Sequence, residues 1–150
     1  MMKAAQNLME RLPVGRPVWR LNWSIKATDQ LDMTTRRMPE LNRQLSERLP
    51  FFTPETIDSQ VFIRIERQTL TRLPRSKAIL FGLHTYQNRL DHELAQRTDR
   101  TGGDAAYRPA AQQLLNVLTT TPPAMLDYKG ISPFLTPLLG YLQSMSLTIH

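Results

Sequence analysis

The sequence of 150 residues contains no cysteine. Disulfides, thiolate metal ligands, iron–sulfur clusters and a cysteine nucleophile are therefore excluded. Hydrophobic runs are short, and none approaches the roughly 20 apolar residues that a membrane-spanning helix needs. The start, MMKAAQNLMERLP, lacks an apolar stretch followed by a cleavage site, so it does not indicate a signal peptide. These absences predict a protein that lies in the reducing cytoplasm and does not enter a membrane.

Positive charge is in excess but is not concentrated. The net charge is +6, and residues 1–77 carry all of that excess. The arginines and lysines are spread singly among acidic residues, with Arg36 and Arg37 the only adjacent pair. Nucleic-acid binding usually combines a basic patch with stacking aromatic residues, and these do not accompany one another here. The charge pattern favours an ordinary solvated surface over nucleic-acid binding.

Three segments have the patterns of β-strands. Pro17 to Ile25 alternates, with the two tryptophans and Ile25 on one face, which predicts a strand with an aromatic core face. Gln60 to Thr69 alternates in the same way. Ala78 to Tyr86 is apolar on both faces, which is typical of a central strand covered on each side. The turn at residues 74–77 predicts that the second and third segments form an antiparallel hairpin.

The rest of the chain has helical patterns. Short helices are predicted at residues 3–11 and 39–49, and a longer one at 105–118. Met125 to Tyr128 is predicted to be a brief turn closed by Gly130 at positive φ. Ser132 and Pro133 are predicted to open a last helix as N-cap and first-turn proline. The sequence therefore predicts one α+β domain over residues 1–150, with an antiparallel sheet followed by a helical C-terminal segment.

The polar residues of the strands leave two alternatives open. Alternation places Arg67 on the apolar face, where a buried guanidinium would require a partner carboxylate from a ligand or from an internal acid such as Glu66. His84, near the end of the third strand, is either a metal ligand or a partly buried histidine hydrogen-bonded to the neighbouring backbone or to Tyr86. Arg20 and Asn22 either line the same concavity or meet water.

Three stretches resemble the haem-dependent oxidative N-demethylase family, in the order in which that family has them. They are RPVWRLNWSI at residues 16–25, IERQTLTRLPRSKAILFGLHTY at 65–86 and PPAMLDYKGISPFLTPLLGYL at 122–142. The resemblance implies a PAS-like fold that holds haem. It also implies oxygen-dependent oxidation of an N-methyl group of a small amine, with electrons supplied by separate reductase subunits.

Two departures from the family pattern modify these expectations. A segment in which Ile-His is followed by Pro-Val-Pro is absent, so we expect residues 1–150 to be an N-terminally truncated domain. His84 stands where the family has an arginine. If the chain binds haem, as the resemblance implies, His84 is the best-placed candidate for the iron ligand, and Arg67, Arg20 and Asn22 are candidates for further haem contacts.

These departures also give two expectations about behaviour. The isolated chain is expected to bind haem weakly or not at all, which leaves a non-catalytic binding or interaction module as the alternative function. Because the segment Ala78 to Tyr86 is apolar on both faces, an open edge there is expected to favour self-association.

Overall fold

The computed structural model describes residues 2–94 and 104–147. Three strands are followed by a largely helical C-terminal half, so the predicted α+β class is confirmed. The strands are β1 (Val18–Lys26), β2 (Phe62–Arg72) and β3 (Ile79–Arg89). The helices are α1 (Met2–Arg11), α2 (Met38–Arg48), α3 (Asp104–Thr120), α4 (Pro123–Lys129) and α5 (Leu135–Leu147), and residues 90–94 are also helical. Single 3-10 turns lie at Leu49–Phe51, Ile57–Ser59 and Ser132–Phe134.

The strands form an antiparallel sheet in the order β1-β2-β3. The prediction that the segment Ala78 to Tyr86 is a central strand is therefore wrong for the sheet of the described residues, because β2 is central and β3 lies at an edge. An apolar strand is typical of the middle of a sheet only when other elements cover both its faces. Here the side chains of Leu80, Phe81 and Leu83 are each about half exposed.

The chain divides into two compact units. The first contains residues 1–23 and 65–86, and the second contains residues 24–64 and 87–150. In the second unit α3 packs against α5, and the 3-10 turn Ile57–Ser59 also contacts α5. Phe134 is buried there and meets Phe52 edge-to-face, with ring centroids 6.2 Å apart. These contacts form an apolar core between helices of the C-terminal half and the turns that precede β2.

The segment predicted as a brief turn before Gly130 is in fact the two-turn helix α4. Pro123 begins it and Gly130 ends it, and Gly130 has the positive φ of 70° that the sequence predicted. The ammonium of Lys26 donates a hydrogen bond of 2.6 Å to the carbonyl of Lys129, in the last turn of α4. A cation at this position also interacts favourably with the negative end of the helix dipole. Ser132 is not an N-cap, since it lies inside the 3-10 turn that precedes α5.

In the first unit, Arg72 holds the C-terminal end of α1. Its guanidinium donates hydrogen bonds to the carbonyls of Met9, Leu12 and Lys77. The last carbonyls of a helix have no partner within the helix, and a planar group with several donors can satisfy more than one of them. Arg72 therefore attaches α1 to the hairpin of β2 and β3.

Replacing Arg72 with alanine is expected to release α1. We expect a loss of about 1–2 kcal/mol in the free energy of unfolding, because several carbonyls lose a charged donor that is only partly screened by solvent. Hydrogen exchange at residues 2–11 should become faster, and Arg72→Lys should restore only part of the protection because an ammonium cannot reproduce the planar fork. Unchanged exchange in α1 after Arg72→Ala would contradict this role.

Candidate functional site

Side-chain hydrogen bonds define the register between β1 and β2. Arg20 Nε donates to Gln68 Oε1 at 2.8 Å, and Asn22 Nδ2 donates to Glu66 Oε2 at 3.4 Å. From the first pair to the second, the residue number rises by two on β1 and falls by two on β2, as it does in an antiparallel pair. This register places Leu21 opposite Arg67 on the other face of the sheet.

The register between β2 and β3 follows from backbone bonds. Leu73 N donates to Ala78 O at 2.9 Å, and at the other end of the pair Leu90 N donates to Val61 O at 2.9 Å. Both bonds join residues in the same antiparallel register, so no bulge interrupts the pair. Arg67 therefore lies directly opposite His84, where Cβ atoms of neighbouring strands are about 4.5–5.5 Å apart.

One face of the first unit is consequently a grid of three rows, which we call the His84 face. It is formed by Trp19, Thr69 and Gly82 in the first row, Leu21, Arg67 and His84 in the second, and Trp23, Ile65 and Tyr86 in the third. Its centre is a guanidinium, with an imidazole beside it. Three of its four corners are aromatic.

The His84 face is open, contrary to the prediction that the tryptophans of β1 form a core face. Trp19 and Leu21 are 61% and 58% exposed, and Tyr86 is about half exposed. Alternation along β1 correctly predicted which residues share a face. It carried no information on whether another element covers that face.

Aromatic contacts orient the two polar side chains of this face. The Cζ atom of Arg67 lies 5.6 Å from the centroid of the Trp19 ring, a cation–π geometry. The rings of His84 and Tyr86 have centroids 4.6 Å apart and are tilted by 44°. Both arrangements keep the guanidinium and the imidazole on the same side of the sheet and within reach of one ligand.

The fourth corner of the grid is left empty by Gly82. A Cβ atom built there would lie 3.7 Å from Thr69 Cβ, an ordinary contact, so the position has room for atoms that it does not contain. Glycine inside a strand weakens it and often marks a place where a ligand or another backbone comes close. Gly82 thus leaves a recess beside His84.

Arg20 and Asn22 lie on the opposite face. They form a ladder there with Gln68 and Glu66, whose carboxylate also accepts a hydrogen bond from Gln68 Nε2 at 3.3 Å. The structure therefore brings together two of the four predicted contacts, Arg67 and His84, and separates them from the other two by the thickness of the sheet. A flat ligand on the His84 face has no path to Arg20 or Asn22.

The buried arginine of β2 is Arg64, where the sequence had favoured Arg67. Arg67 is exposed, whereas Arg64 is 6% exposed. In the second unit, the guanidinium of Arg64 donates to Leu31 O at 3.2 Å and to Gln87 Oε1 at 3.3 Å. Arg64 is buried and Arg67 is exposed because the two ends of β2 are covered to different extents by other parts of the chain. The alternation of residues along a strand does not reveal this difference.

The other histidines do not contribute to this face. His92 is exposed in the helical segment that follows β3, in keeping with its polar surroundings in the sequence. His150 lies outside the described residues. Among the residues that the structure describes, no group of three or more His, Asp or Glu side chains is arranged to hold a metal ion. The single imidazole of His84 suits a metal ion whose other ligands come from a cofactor and not from the protein.

The residues that sequence reasoning missed are the aromatic corners of this face. Trp19 and Tyr86 were assigned to the core and to a hydrogen bond, respectively. Trp19 lies on β1 and Tyr86 on β3. The sequence does not reveal that they share a face, because the register between strands decides which side chains lie on the same side of the sheet.

The structure is that of an α+β protein in which one open sheet face brings an imidazole and a guanidinium together among aromatic side chains. The family model of haem-dependent oxidative N-demethylase, alpha subunit-like proteins matches residues 1–139. The chain therefore belongs to this family, as the three stretches of resemblance predicted. None of the helices in the described part of the chain has both the length and the apolar character needed to cross a membrane.

The side chains of the His84 face fit a haem in kind. Haem proteins use an axial side chain such as histidine, together with apolar surface along the macrocycle. Arginine is suited to the carboxylates of the two propionates, because its donors match a carboxylate in a planar fork. The face supplies an imidazole, a guanidinium and exposed aromatic rings, and all of them belong to one rigid sheet.

Proposed function

We propose that this chain binds haem against the His84 face and acts in an enzyme that oxidatively removes a methyl group from a small secondary amine. The observation that carries the proposal is the placement of Arg67 directly opposite His84 on an open face with aromatic corners. Membership of a family whose name states haem dependence supports the choice of cofactor. The antiparallel sheet would then be part of a PAS-like haem domain.

In this proposal His84 would hold the iron of the haem. A neutral imidazole has a lone pair suited to iron, and a strand fixes the direction in which the side chain leaves the backbone. Tyr86 lies beside the ring and limits its rotation. Arg67 binds a propionate carboxylate, for which it would leave or share its contact with the ring of Trp19.

The bound haem would supply activation of oxygen, which amino-acid side chains cannot provide. The chain's own residues bind and orient the cofactor and keep water from one side of it. Trp19 and Leu21 offer apolar area for this purpose. Electrons would come from separate reductase subunits, in keeping with the alpha subunit in the family name.

A second candidate function is a non-catalytic binding or interaction module derived from the same family. It is favoured by exposed apolar side chains on both faces of the sheet in the first unit. Trp19 and Leu21 lie on the His84 face, and Phe81 and Leu83 lie on the other face. Exposed apolar area of this kind is typical of surfaces that contact another protein.

Titration of the purified chain with haemin, followed by its Soret band, tests the proposal. We expect weak binding by the chain alone, because one sheet face covers only one side of a macrocycle. His84→Ala should lower the affinity at least about tenfold, which corresponds to about 1.4 kcal/mol, because the imidazole that would hold the iron is removed. Arg67→Ala should weaken binding less and should leave the shape of the Soret band unchanged.

Two exposed residues away from this face provide matched controls. His92→Ala removes a histidine outside the grid, and Arg75→Ala removes an exposed arginine from the turn between β2 and β3. Both variants should bind haemin as the parent chain does. Equal loss in His84→Ala and His92→Ala would show non-specific adsorption, and the proposed site would have to be abandoned.

A further inference from the structure

The outer edge of β3 is a second surface with a specific chemistry. In the described sheet, β3 pairs on one side only, with β2. The bonds at Ala78 and Leu90 direct the backbone of its even-numbered residues towards β2. In an antiparallel ladder the odd-numbered residues alternate with them, so the N–H and C=O groups of Phe81 and Leu83 point towards the outer edge. Such an edge is a template for another strand.

The side chains of β3 favour an apolar partner on both faces. Leu80 and Tyr86 project on the His84 face, Phe81 and Leu83 project on the other face, and all four are about half exposed. Edge strands that remain alone are commonly protected by charged side chains or proline. Between Ile79 and Asn88 the strand contains no Lys, Arg, Asp, Glu or Pro.

Because β3 carries no Lys, Arg, Asp or Glu between Ile79 and Asn88, its outer edge favours an uncharged strand as its partner. A strand that carries charge gains nothing from β3, because no opposite charge meets it. Between Ile79 and Gln87, a second copy of β3 brings no like charges into contact, and like charges opposite one another are destabilising. The other edge strand, β1, carries two positive charges, Arg20 and Lys26, whereas β3 has none between Ile79 and Asn88. The self-matching edge is therefore β3.

We propose that two copies of this chain pair antiparallel through the outer edges of β3, about a two-fold axis at Leu83. Leu83 then lies opposite the partner's Leu83, and Leu80 lies opposite the partner's Tyr86. Gly82 lies opposite the partner's His84. The two three-stranded sheets continue into one sheet of six strands.

This register matches side chains better than its neighbours do. An axis at His84 places two imidazoles opposite each other and sets Leu80 against an asparagine, Asn88. An axis at Gly82 sets glycine against glycine and pairs Leu80 with an imidazole. The axis at Leu83 pairs Leu80 with Tyr86 on one face and Leu83 with Leu83 on the other, while Phe81 lies opposite Thr85. Apolar cross-strand pairs of this kind stabilise a sheet.

A contact through one strand on each side is small. Stable specific interfaces bury roughly 1,200–2,000 Å² in total, and smaller ones are weak and transient. We therefore expect a dimer that dissociates on dilution. Light scattering across a dilution series should show the average mass rising with concentration from one chain towards two.

The register can be tested by cross-linking, because the chain contains no cysteine and every disulfide must join introduced residues. Directly opposite residues in a hydrogen-bonded antiparallel pair have Cα atoms about 5.5 Å apart, within the range of a disulfide. Leu83→Cys should therefore oxidise to a covalent dimer. Phe81→Cys and Thr85→Cys should each remain largely monomeric when alone and should cross-link when the two variants are mixed.

Leu21 provides the matched control, since it is 58% exposed on β1 against 52% for Leu83. Leu21→Cys should not cross-link, and Leu21→Lys should leave the dilution curve unchanged. Leu83→Lys should weaken the dimer at least about tenfold, because two ammonium groups meet at the axis. Circular dichroism would confirm that each exposed substitution leaves the fold intact.

Several results would overturn the proposal. A chain that remains monomeric at every concentration shows that β3 is not an association edge. Equal cross-linking of Leu21→Cys and Leu83→Cys shows random collision. A dimer that Leu83→Lys does not weaken has its contact elsewhere. Because no haem is involved, these results are independent of the haem titration, and either proposal can fail alone.

Discussion

Replacing Arg64 with alanine is expected to lower the free energy of unfolding by about 3 kcal/mol, since a buried charged donor is lost and its acceptors remain. Arg64 is the buried arginine of β2, and it donates to the carbonyl of Leu31 and to the side chain of Gln87. Gln87 in turn donates to the carbonyl of Thr28 at 3.1 Å. The substitution therefore affects the whole attachment of the loop that follows β1.

A neighbouring arginine shows how this loop is held. Arg48, at the end of α2, donates to the carbonyls of Ala27 and Gln60 at 2.7 and 3.2 Å. Carbonyls of a loop without regular structure need donors from elsewhere, because an unpaired buried carbonyl is costly. Side chains of β2, β3 and α2 supply them here. Loss of Arg64 should accordingly increase hydrogen exchange in residues 27–34 before the rest of the second unit.

The control for Arg64 is Arg43, on the exposed surface of α2. Arg43 forms ion pairs with Glu40 and Glu47 along the helix. These pairs hold the pKa of Glu40 below its usual range through hydrogen bonds from Arg43 and Gln44. Exposed ion pairs contribute little to stability. A denaturant melt of Arg43→Ala should therefore lie close to that of the parent chain, and an Arg64→Ala melt equally close would contradict the buried role.

Replacing Phe134 with alanine is expected to lower the free energy of unfolding by about 3–5 kcal/mol, the usual range when a buried phenylalanine is truncated. Its ring is 1% exposed and packs edge-to-face on Phe52. Alanine removes this pair and leaves a cavity beside α5.

Phe51 is the matched control for Phe134, because the residue type is the same and its side chain is 70% exposed. Phe51→Ala should change the free energy of unfolding by less than about 1 kcal/mol, since little apolar area leaves contact with the protein. Chemical denaturation of both variants, followed by far-UV circular dichroism, provides the comparison. Similar losses in both variants would show that the core does not centre on Phe134.

The sequence was sufficient to predict the strands and their faces. The alternating pattern of β1 placed Trp19 and Trp23 together and Arg20 and Asn22 together, and the structure shows both pairs as predicted. The family resemblance was also confirmed. These features depend on local geometry or on a motif, so a single sequence contains them.

Cover and edges could not be predicted in the same way. The sequence did not reveal that Trp19 is exposed, or that Arg64 rather than Arg67 is buried. Burial depends on elements distant in the sequence that pack over one part of a strand and not over another. The edge position of β3 depends on which strands are present to pair with it. Periodicity identifies faces, and only tertiary structure decides what lies against them.

The contact between Lys26 and the end of α4 joins the residue that follows the first stretch of family resemblance to the third stretch. A Cβ atom at position 130 would lie 3.3 Å from the ammonium of Lys26, and φ at Gly130 is positive. A side chain at position 130 would push the ammonium away from the carbonyl of Lys129. The two positions lie 104 residues apart, yet each limits what the other can be. Alanine at position 130 should therefore weaken the attachment of α4 to the end of β1 in addition to straining the backbone at positive φ.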